Sequence, residues 1–278
     1  MLKSLLVHIP SERHARPVLD GAISLAVSHK AHLEAISVGY ETTNVGLTVD
    51  AGGAALAAVF EIERERALER ANAALAIFET EARHAGIAWH CHALANVPVE
   101  AAASVGAAAR LHDLAIVLQP EPELDTFDNT MPREILFESG GPVLFVPYTH
   151  NGPVDAKRVG IAWDGSRLAA RALRDAAPFL THAQAITIIS INERQIAEEV
   201  SINALSAHLA RRGLTPRVSR TNAGRTEIQA SILSIAADED LDLIVMGGYG
   251  HSRLQERVLG GVTRDMLQAM TIPTLMSH

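Results

Sequence analysis

The chain has 278 residues, a formal net charge of −8, and a composition that is 48% hydrophobic but only 4% aromatic. This length accommodates two ordinary domains, and the many Ala, Leu, Ile and Val residues suit helices packed on a buried sheet rather than a β-sandwich. No run of Lys or Arg exceeds two residues, so the electrostatic footprint of a nucleic-acid-binding protein is missing. We therefore expect an α/β protein that does not bind DNA or RNA.

Membrane and secretion signals are also missing from the sequence. The apolar run at residues 5–9 is too short for a signal sequence, and no stretch reaches the roughly 18 apolar residues that a membrane span needs. Cys91 is the single cysteine, so no intrachain disulfide can form. We expect a cytoplasmic protein in a reducing compartment, without a membrane partner.

In the first half of the chain, short apolar runs alternate with helical patterns, which predicts parallel strands joined by crossover helices. An insertion rich in Gly, Thr and Ala, at residues 41–56, precedes a long helix. Strands are predicted near residues 4–9, 32–38, 88–93, 114–118 and 143–147.

The second half follows the same order, after a boundary at Asn151-Gly152-Pro153, which has strong turn chemistry. Domains are therefore predicted at residues 1–150 and 154–278. Strands are predicted near residues 159–163, 185–191, 215–220, 242–246 and 273–277.

The two halves repeat one another at an offset of 131 residues near their ends. Each set of matching residues describes a helix, a turn and a final strand that opens with proline. The residues Arg133, Glu134, Leu136, Pro142 and Leu144 correspond to Arg264, Asp265, Leu267, Pro273 and Leu275.

The second half contains a glycine-rich segment directly after the apolar run that ends at Met246. It reads Gly247-Gly248-Tyr249-Gly250, nine further residues, then Gly260-Gly261-Val262-Thr263. Glycines let backbone N–H groups approach an anion, and the start of the following helix adds its positive end. The spacing fits neither a P-loop nor a GxGxxG dinucleotide turn. The segment indicates a phosphate site of another kind.

This segment resembles the pattern G-x2-G-x9-G-[ST] of nucleotide-binding universal stress proteins, and the chain is similar to a tandem member of that family. It departs from the pattern at Gly261, where the family has Ser or Thr, although the family's further Thr is present as Thr263. The resemblance implies two tandem doubly wound, Rossmann-like domains, each a five-stranded parallel sheet with helices on both faces. It also implies pairing through the last strands, here 143–146 with 274–277 inside one chain, and leaves room for a further homodimer.

The resemblance implies a nucleotide site in the second domain, for ATP or a related adenine nucleotide, with or without Mg²⁺. Asp164 would accept hydrogen bonds from ribose or base, and backbone N–H groups would hold the phosphates. The missing hydroxyl at Gly261 would cost roughly 0.5 to 1.5 kcal/mol of binding free energy. The implied binding residues are Ala162, Asp164, Ser190, Met246, Gly247, Gly250, Gly260, Gly261, Val262 and Thr263.

The first half lacks these residues at the matching positions. Pro10 stands where the second half has Asp164, and the segment Gln119-Pro120-Glu121-Pro122-Glu123 replaces the glycines after Met246. Asn129, Thr130 and Pro132 stand in place of Gly260, Gly261 and Thr263. Proline removes N–H donors and glutamate repels phosphate, so we expect one nucleotide per chain.

Simpler structural roles compete with these interpretations. Asp164-Gly165-Ser166 could be a turn and helix cap, and the glycines could serve only a strand-to-helix turn. His90 and His92 would lie on one face of a strand as a potential metal pair, but no third ligand is evident, and no metal site is expected.

The leading functional hypothesis is a stress-associated, nucleotide-binding regulatory module that acts through its second domain. No catalytic residue is assigned, because the segment lacks a P-loop lysine and the carboxylate set that fast phosphoryl transfer needs. The alternatives are a slow nucleotide hydrolase and a partner-binding scaffold whose nucleotide site stays empty.

Overall fold

The structure is a computed structural model that describes residues 1–41, 53–193, 197–249 and 261–278. In the first half, strands and helices alternate as the apolar runs predict, and the 3₁₀ turn Phe127–Asn129 precedes the last helix. The elements of this half are β1 Ser4–Ile9, α1 Arg16–His29, β2 His32–Tyr40, α2 Gly53–Ala85, β3 Trp89–Asn96, α3 Pro98–Ala109, β4 Leu114–Leu118, α4 Met131–Glu138 and β5 Val143–Val146.

The second half repeats this order, with a 3₁₀ turn at Glu198–Val200. Its elements are β6 Arg158–Ala162, α5 Arg167–Asp175, α6 Ala177–Leu180, β7 Ala185–Ile191, α7 Ile202–Ala210, β8 Arg217–Thr221, α8 Ile228–Asp238, β9 Leu243–Gly247, α9 Val262–Ala269 and β10 Thr274–Ser277. The last helix and last strand of each half lie 131 residues apart, as the sequence repeat predicts.

The described residues contain ten strands, which form one sheet in the order β3-β2-β1-β4-β5-β10-β9-β6-β7-β8. Within each half the strands are parallel, and the order reverses between the first and fourth strands of that half. The predicted α/β class with parallel, doubly wound strands is confirmed. Such a reversal leaves a crevice at the carboxyl ends of the two strands, where this class of sheet binds ligands.

The halves adjoin through β5 and β10, which pair antiparallel in one register. Phe145 lies opposite Thr274, Leu144 opposite Leu275, and Val143 opposite Met276. Each strand also has a parallel neighbour on its other side, β4 for β5 and β9 for β10. Neither last strand is therefore an open edge.

The core lies in two layers, one on each face of the sheet. One face packs against α1, α2, α5, α6 and α7, and the other against α3, α4, α8 and α9. Alternate strand residues supply the two layers. In β6, Val159 and Ile161 face the first layer, whereas Ala162 packs against the second.

Asp113 and Asp242 hold the amino ends of matching strands in the two halves. The Asp113 carboxylate accepts hydrogen bonds from the backbone N–H groups of Lys3 and Ser4, at 2.6 and 3.0 Å. Asp242 accepts from Lys157 and Arg158 at 3.0 and 2.9 Å. In each half, the carboxylate that precedes the fourth strand therefore fixes the start of the first strand, which lies beside it in the sheet.

Across the described part of the chain, no helix combines the length and the apolar composition that crossing a membrane requires.

The contact between α2 and β2 depends on Gly39. A Cβ atom at this position would overlap the carbonyl oxygen of Ala67, so the helix backbone can approach the strand only because glycine is present. We expect Gly39→Ala to lower the free energy of unfolding by about 2 kcal/mol or more, as overpacking does. Urea unfolding measures the change.

Gly141→Ala is the matched control, because nothing lies within 4 Å of its added Cβ. We expect this control to change stability by less than about 0.5 kcal/mol, as ordinary surface substitutions do. Equal effects from the two substitutions would show that the α2–β2 contact is not tight.

Candidate functional site

The carboxyl ends of β6, β7 and β9 form the edge at which the second half could hold a ligand. Ala162 ends β6, Met246 lies next to the end of β9, and Ser190 lies next to the end of β7. The order of the strands places β6 between β7 and β9, so these residues share one edge. Trp163, which follows β6, donates its indole N–H to the carbonyl of Val200 at 2.8 Å and holds the 3₁₀ turn against this edge.

Asp164 lies in a tight turn directly before α5. One carboxylate oxygen accepts the backbone N–H of Ser166 at 2.9 Å, and Gly165 between them has a positive φ of 74°. Ser166 then caps α5 by accepting the N–H of Ala169 at 3.1 Å. The turn-and-cap role is therefore present, and the exposed Asp164 carboxylate remains at the ligand edge.

Gly247, the last residue of β9, has a packing reason to be glycine. A Cβ there would lie 2.7 Å from the backbone nitrogen of Ala169 and 2.9 Å from the Cβ of Leu168. The start of α5 can therefore approach β9 only if position 247 has no side chain. Gly247 is thus required for the contact between α5 and the sheet, independently of any contact between its backbone and a ligand.

Tyr249 continues the segment in a left-handed conformation, with a φ of 54°. Its backbone N–H donates to the hydroxyl of Thr263 at 3.0 Å, in buried surroundings. Thr263 thus fastens the residues after β9 to the first turn of α9. Accepting this hydrogen bond does not use the hydroxyl proton of Thr263, which can still be donated to a ligand.

Gly261 occupies the cap position directly before α9, with φ −100° and ψ 137°, and supplies no side-chain hydrogen bond. Helix starts leave N–H groups without intrahelical partners and carry a partial positive charge. Val262 and Thr263 follow as the first two helical residues. Among the described residues no side chain caps this start, which therefore fits an anion such as the phosphates that the family resemblance implies.

Ser190 is buried, and its Oγ has no hydrogen-bond partner among the described residues. Ser37 occupies the matching place in the first half, opposite Ile9, and its buried Oγ is also unpartnered. Because both halves share this feature, the Ser190 hydroxyl by itself does not distinguish the second half as the binding half.

Two of the implied binding residues, Gly250 and Gly260, lie outside the described residues. The other eight all lie on the carboxyl side of the second half, where the strands end and α9 begins. The structure joins Tyr249 to Thr263 and Asp164 to Ser166.

The first half has a buried polar cluster at the matching edge, which we call the Asp128 cluster: His8, Arg13, Tyr40, Gln119 and Asp128. Asp128 is fully buried and accepts hydrogen bonds from the Tyr40 hydroxyl at 2.9 Å and from the backbone N–H of Glu12 at 2.8 Å. His8 Nε2 lies 3.9 Å from the same carboxylate. A buried side-chain carboxylate therefore lies at this edge in the first half, where α4 also starts without a side-chain cap but has Pro132 in its first turn.

Burial controls the charges in this cluster. It raises the pKa of Asp128 above its ordinary value, although the hydrogen bonds from Glu12 and Tyr40 and the charge of Arg13 act in the opposite direction. Burial, with the Arg13 charge, lowers the pKa of His8 to about 3. His8 is therefore neutral at physiological pH.

The pair His90 and His92 lies on the outer strand β3, with ring centroids 6.2 Å apart. His92 Nδ1 is 3.6 Å from Glu34, whose other oxygen lies 3.2 Å from His112 Nε2. Within the described residues, no group of three or more His, Cys, Asp or Glu side chains is arranged to hold a metal ion.

The fold and this edge define a doubly wound α/β protein built from two related halves. Residues 156–278 match the model of the universal stress protein family. The second half of the chain is therefore a domain of the universal stress protein family.

Similar proteins agree with this assignment. A universal stress protein of Methanocaldococcus jannaschii is 40% identical over 45 residues, which are 16% of this chain and 28% of that relative's length. The crystal structure of a universal stress protein from Archaeoglobus fulgidus aligns with 98% of this chain and 97% of its own, with a TM-score of 0.72 and 16% identity. That likeness shows the fold over nearly the full length.

A further universal stress protein was solved in complex with cAMP. It aligns with 44% of this chain and 96% of its own, at 20% identity and a TM-score of 0.34. At this level of similarity, the bound nucleotide is a property of that protein alone.

The residues that organise the edge in the first half could not be identified from the sequence patterns. Asp128 accepts hydrogen bonds from Tyr40, which is 88 residues away along the chain, and from Glu12, which is 116 residues away. The one sequence signal for the Asp128 cluster was His8, a histidine inside an apolar strand. A histidine in such a run requires polar surroundings or a neutral ring.

The low pKa of His8 makes stability depend on pH. In the unfolded chain this histidine gains a proton below its ordinary pKa of 6.5, whereas in the folded chain it stays neutral down to about 3. The stability that the neutral His8 ring contributes is complete above pH 6.5 and is lost as pH falls. We expect this loss to lower the free energy of unfolding by about 1.4 kcal/mol per pH unit between pH 6.5 and pH 3.

Urea unfolding at pH 7, 6 and 5 should show that His8→Gln removes this part of the decline. The exposed His14 provides the matched control, and His14→Gln should keep the wild-type dependence. Parallel curves for the wild type and His8→Gln would contradict a neutral, buried His8.

Proposed function

We propose that the second half of the chain binds one adenine nucleotide, with ATP as the reference ligand, and that the chain acts as a nucleotide-responsive regulatory module. The observation that carries the proposal is the uncapped start of α9, joined to the residues after β9 by the Tyr249–Thr263 hydrogen bond. Backbone N–H groups at a helix start, beside the switch point of a doubly wound sheet, suit a phosphate group.

The same residues suggest how each part of a nucleotide would be held. Val262 and Thr263 would offer backbone N–H groups to the phosphates, and Asp164 would accept hydrogen bonds from the ribose. The hydrogen bond from Ser166 occupies one oxygen of Asp164, so the other oxygen would take the ligand. Mg²⁺, where present, would be held mainly by phosphate oxygens and water.

The proposed domains are residues 1–150 and 154–278, of which only the second holds a nucleotide. In the first, the buried Asp128 carboxylate lies at the matching edge, and a phosphate there would meet a second negative group. One nucleotide per chain is the expected stoichiometry.

A partner-binding scaffold is the second candidate, and one observation favours it. Gly261 supplies no hydroxyl to a phosphate. In that case the chain would bind no nucleotide, and the ligand edge would be only a structural joint.

Isothermal titration of the purified chain with ATP, ADP and adenosine separates these functions. We expect one site per chain for ATP and weaker binding of adenosine, because adenosine lacks the phosphates that α9 would hold. No heat with millimolar ATP would favour the scaffold, and two sites per chain would contradict the proposal. ATP turnover above about 1 s⁻¹ would instead indicate an enzyme.

Asp164→Asn tests the proposed ribose contact. The asparagine oxygen can still accept the N–H of Ser166, so the turn and the stability should be preserved. The loss of the charge should lower ATP affinity about tenfold or more, since hydrogen bonds to charged groups contribute roughly 1.5 to 3 kcal/mol. Titration with ATP measures the change.

Asp155→Asn is the matched control. Asp155 is an exposed aspartate that pairs with Lys157 at 2.6 Å just before β6, at the opposite end of that strand. Its substitution should leave ATP affinity unchanged. If both variants weaken binding equally, the effect is one of net charge and the proposed contact fails.

Gly261→Ser should restore the hydroxyl that the family pattern has at this position. The backbone angles at Gly261 are open to any residue, so we expect no strain. One added hydrogen bond should raise ATP affinity about two- to tenfold and leave adenosine affinity unchanged. An equal gain for adenosine would place the phosphates away from the start of α9.

A further inference from the structure

The last helix of the first half, α4, lies against the residues that follow β9 in the second half. The Cδ2 atom of Leu136 is 3.1 Å from the place that a Cβ on Gly248 would occupy. The ring of Phe137 lies 4.8 Å from the ring of Tyr249, centroid to centroid, at an angle of 42°. The first half therefore forms part of the surroundings of the proposed phosphate site.

Phe137 also packs against His278, which is itself bonded to the segment after β9. The two rings meet edge to face at 4.7 Å, and His278 Nδ1 lies 3.1 Å from the carbonyl oxygen of Gly248. Arg171 joins the halves at the same place by donating to the main-chain oxygens of His278 and Gly140. The aromatic contact is thus one part of a continuous joint.

Tyr249 needs such support because its backbone is left-handed, a conformation that costs a residue with a side chain of order 1 kcal/mol. Its ring packs on Phe137, and its N–H donates to Thr263 in the first turn of α9. These contacts form a chain from α4, through Tyr249, to the helix start.

The first half also contacts α9 near its other end. Gln119 donates its side-chain amide to the carbonyl of Leu267 at 2.9 Å, in buried surroundings. Arg13 of the Asp128 cluster in turn donates to the carbonyl of Gln119 at 3.0 Å. Residues of the first half thus hold α9 both near its start, through Tyr249, and near its end.

We propose that Phe137 is a positioning residue for the phosphate-binding amides of the second half, so that the half without a nucleotide sets the affinity of the half with one. The inference rests on the proposed nucleotide function. Its physical basis is preorganisation: amides that are fixed before binding lose less conformational freedom when the phosphate arrives.

The test compares Phe137→Ala with Phe137→Tyr, which keeps the ring. We expect Phe137→Ala to lower ATP affinity about tenfold and to leave adenosine affinity unchanged, whereas Phe137→Tyr should match the wild type. Amide hydrogen exchange in the nucleotide-free chain gives an independent measurement. We expect the N–H of Tyr249 to exchange at least tenfold faster in Phe137→Ala.

Two further variants control the experiment. Phe127→Ala removes another ring that packs on a tyrosine, Tyr40 at 5.4 Å, in the first half, and should change neither the Tyr249 exchange nor ATP affinity. Phe137→Leu keeps apolar volume without the ring, and should reproduce the exchange result if Phe137→Ala fails to fold.

The outcomes separate the inference from the function on which it rests. Unchanged Tyr249 exchange in both ring-less variants would overturn the positioning role, as would faster exchange with wild-type ATP affinity. Equal losses for ATP and adenosine would also overturn it, because they indicate general damage. If the wild type binds no nucleotide, the proposed function fails, and the Tyr249 exchange alone decides whether Phe137 positions the segment.

Discussion

The antiparallel pairing of β5 with β10 is the contact on which the arrangement of this protein depends. It converts two five-stranded halves into one ten-stranded sheet and covers the last strand of each. It also brings α4 against the segment after β9, and Gln119 against α9. Without these strand hydrogen bonds, both helices would lose their neighbours in the other half.

The two halves share a scaffold but differ at the edge where a ligand would lie. The carboxylates at Asp113 and Asp242 fix strand starts in the same way, and Arg133 and Arg264 each pair with the next residue along the chain. At the carboxyl edge, however, the first half has a buried acid with its own donors and a proline in the first turn of α4, whereas the second half has Gly261 before α9 and no proline in its first turn. The shared parts maintain the sheet, while the differing parts decide what each edge can accept.

Much of the fold could be predicted from the sequence, because strands that are buried on both faces have continuous apolar sequences. Those runs located all ten strands, and the 131-residue repeat located α4, α9, β5 and β10. The site was predictable only as a region, from glycines after a strand and Asp164 after another. The resemblance to the universal stress protein family rests on the same glycine spacing, and the match at residues 156–278 confirms it for the second half.

The remaining details depend on contacts that local patterns do not encode. Gly247 is small because α5 crosses it, and Thr263 accepts a hydrogen bond from a residue 14 positions away. Asp128 meets Glu12 across 116 residues of chain. Each of these roles follows from the way helices are placed on the sheet, which propensities and spacing cannot specify.

The strand order also determines how the sheet terminates. Its outer strands are β3 and β8, and their sequences include His90 and His92 on one side and Arg217 and Arg220 on the other. Bulky, polar and charged side chains on a free strand oppose the addition of a further strand from another molecule. The composition of these two edge strands therefore works against edge-to-edge aggregation.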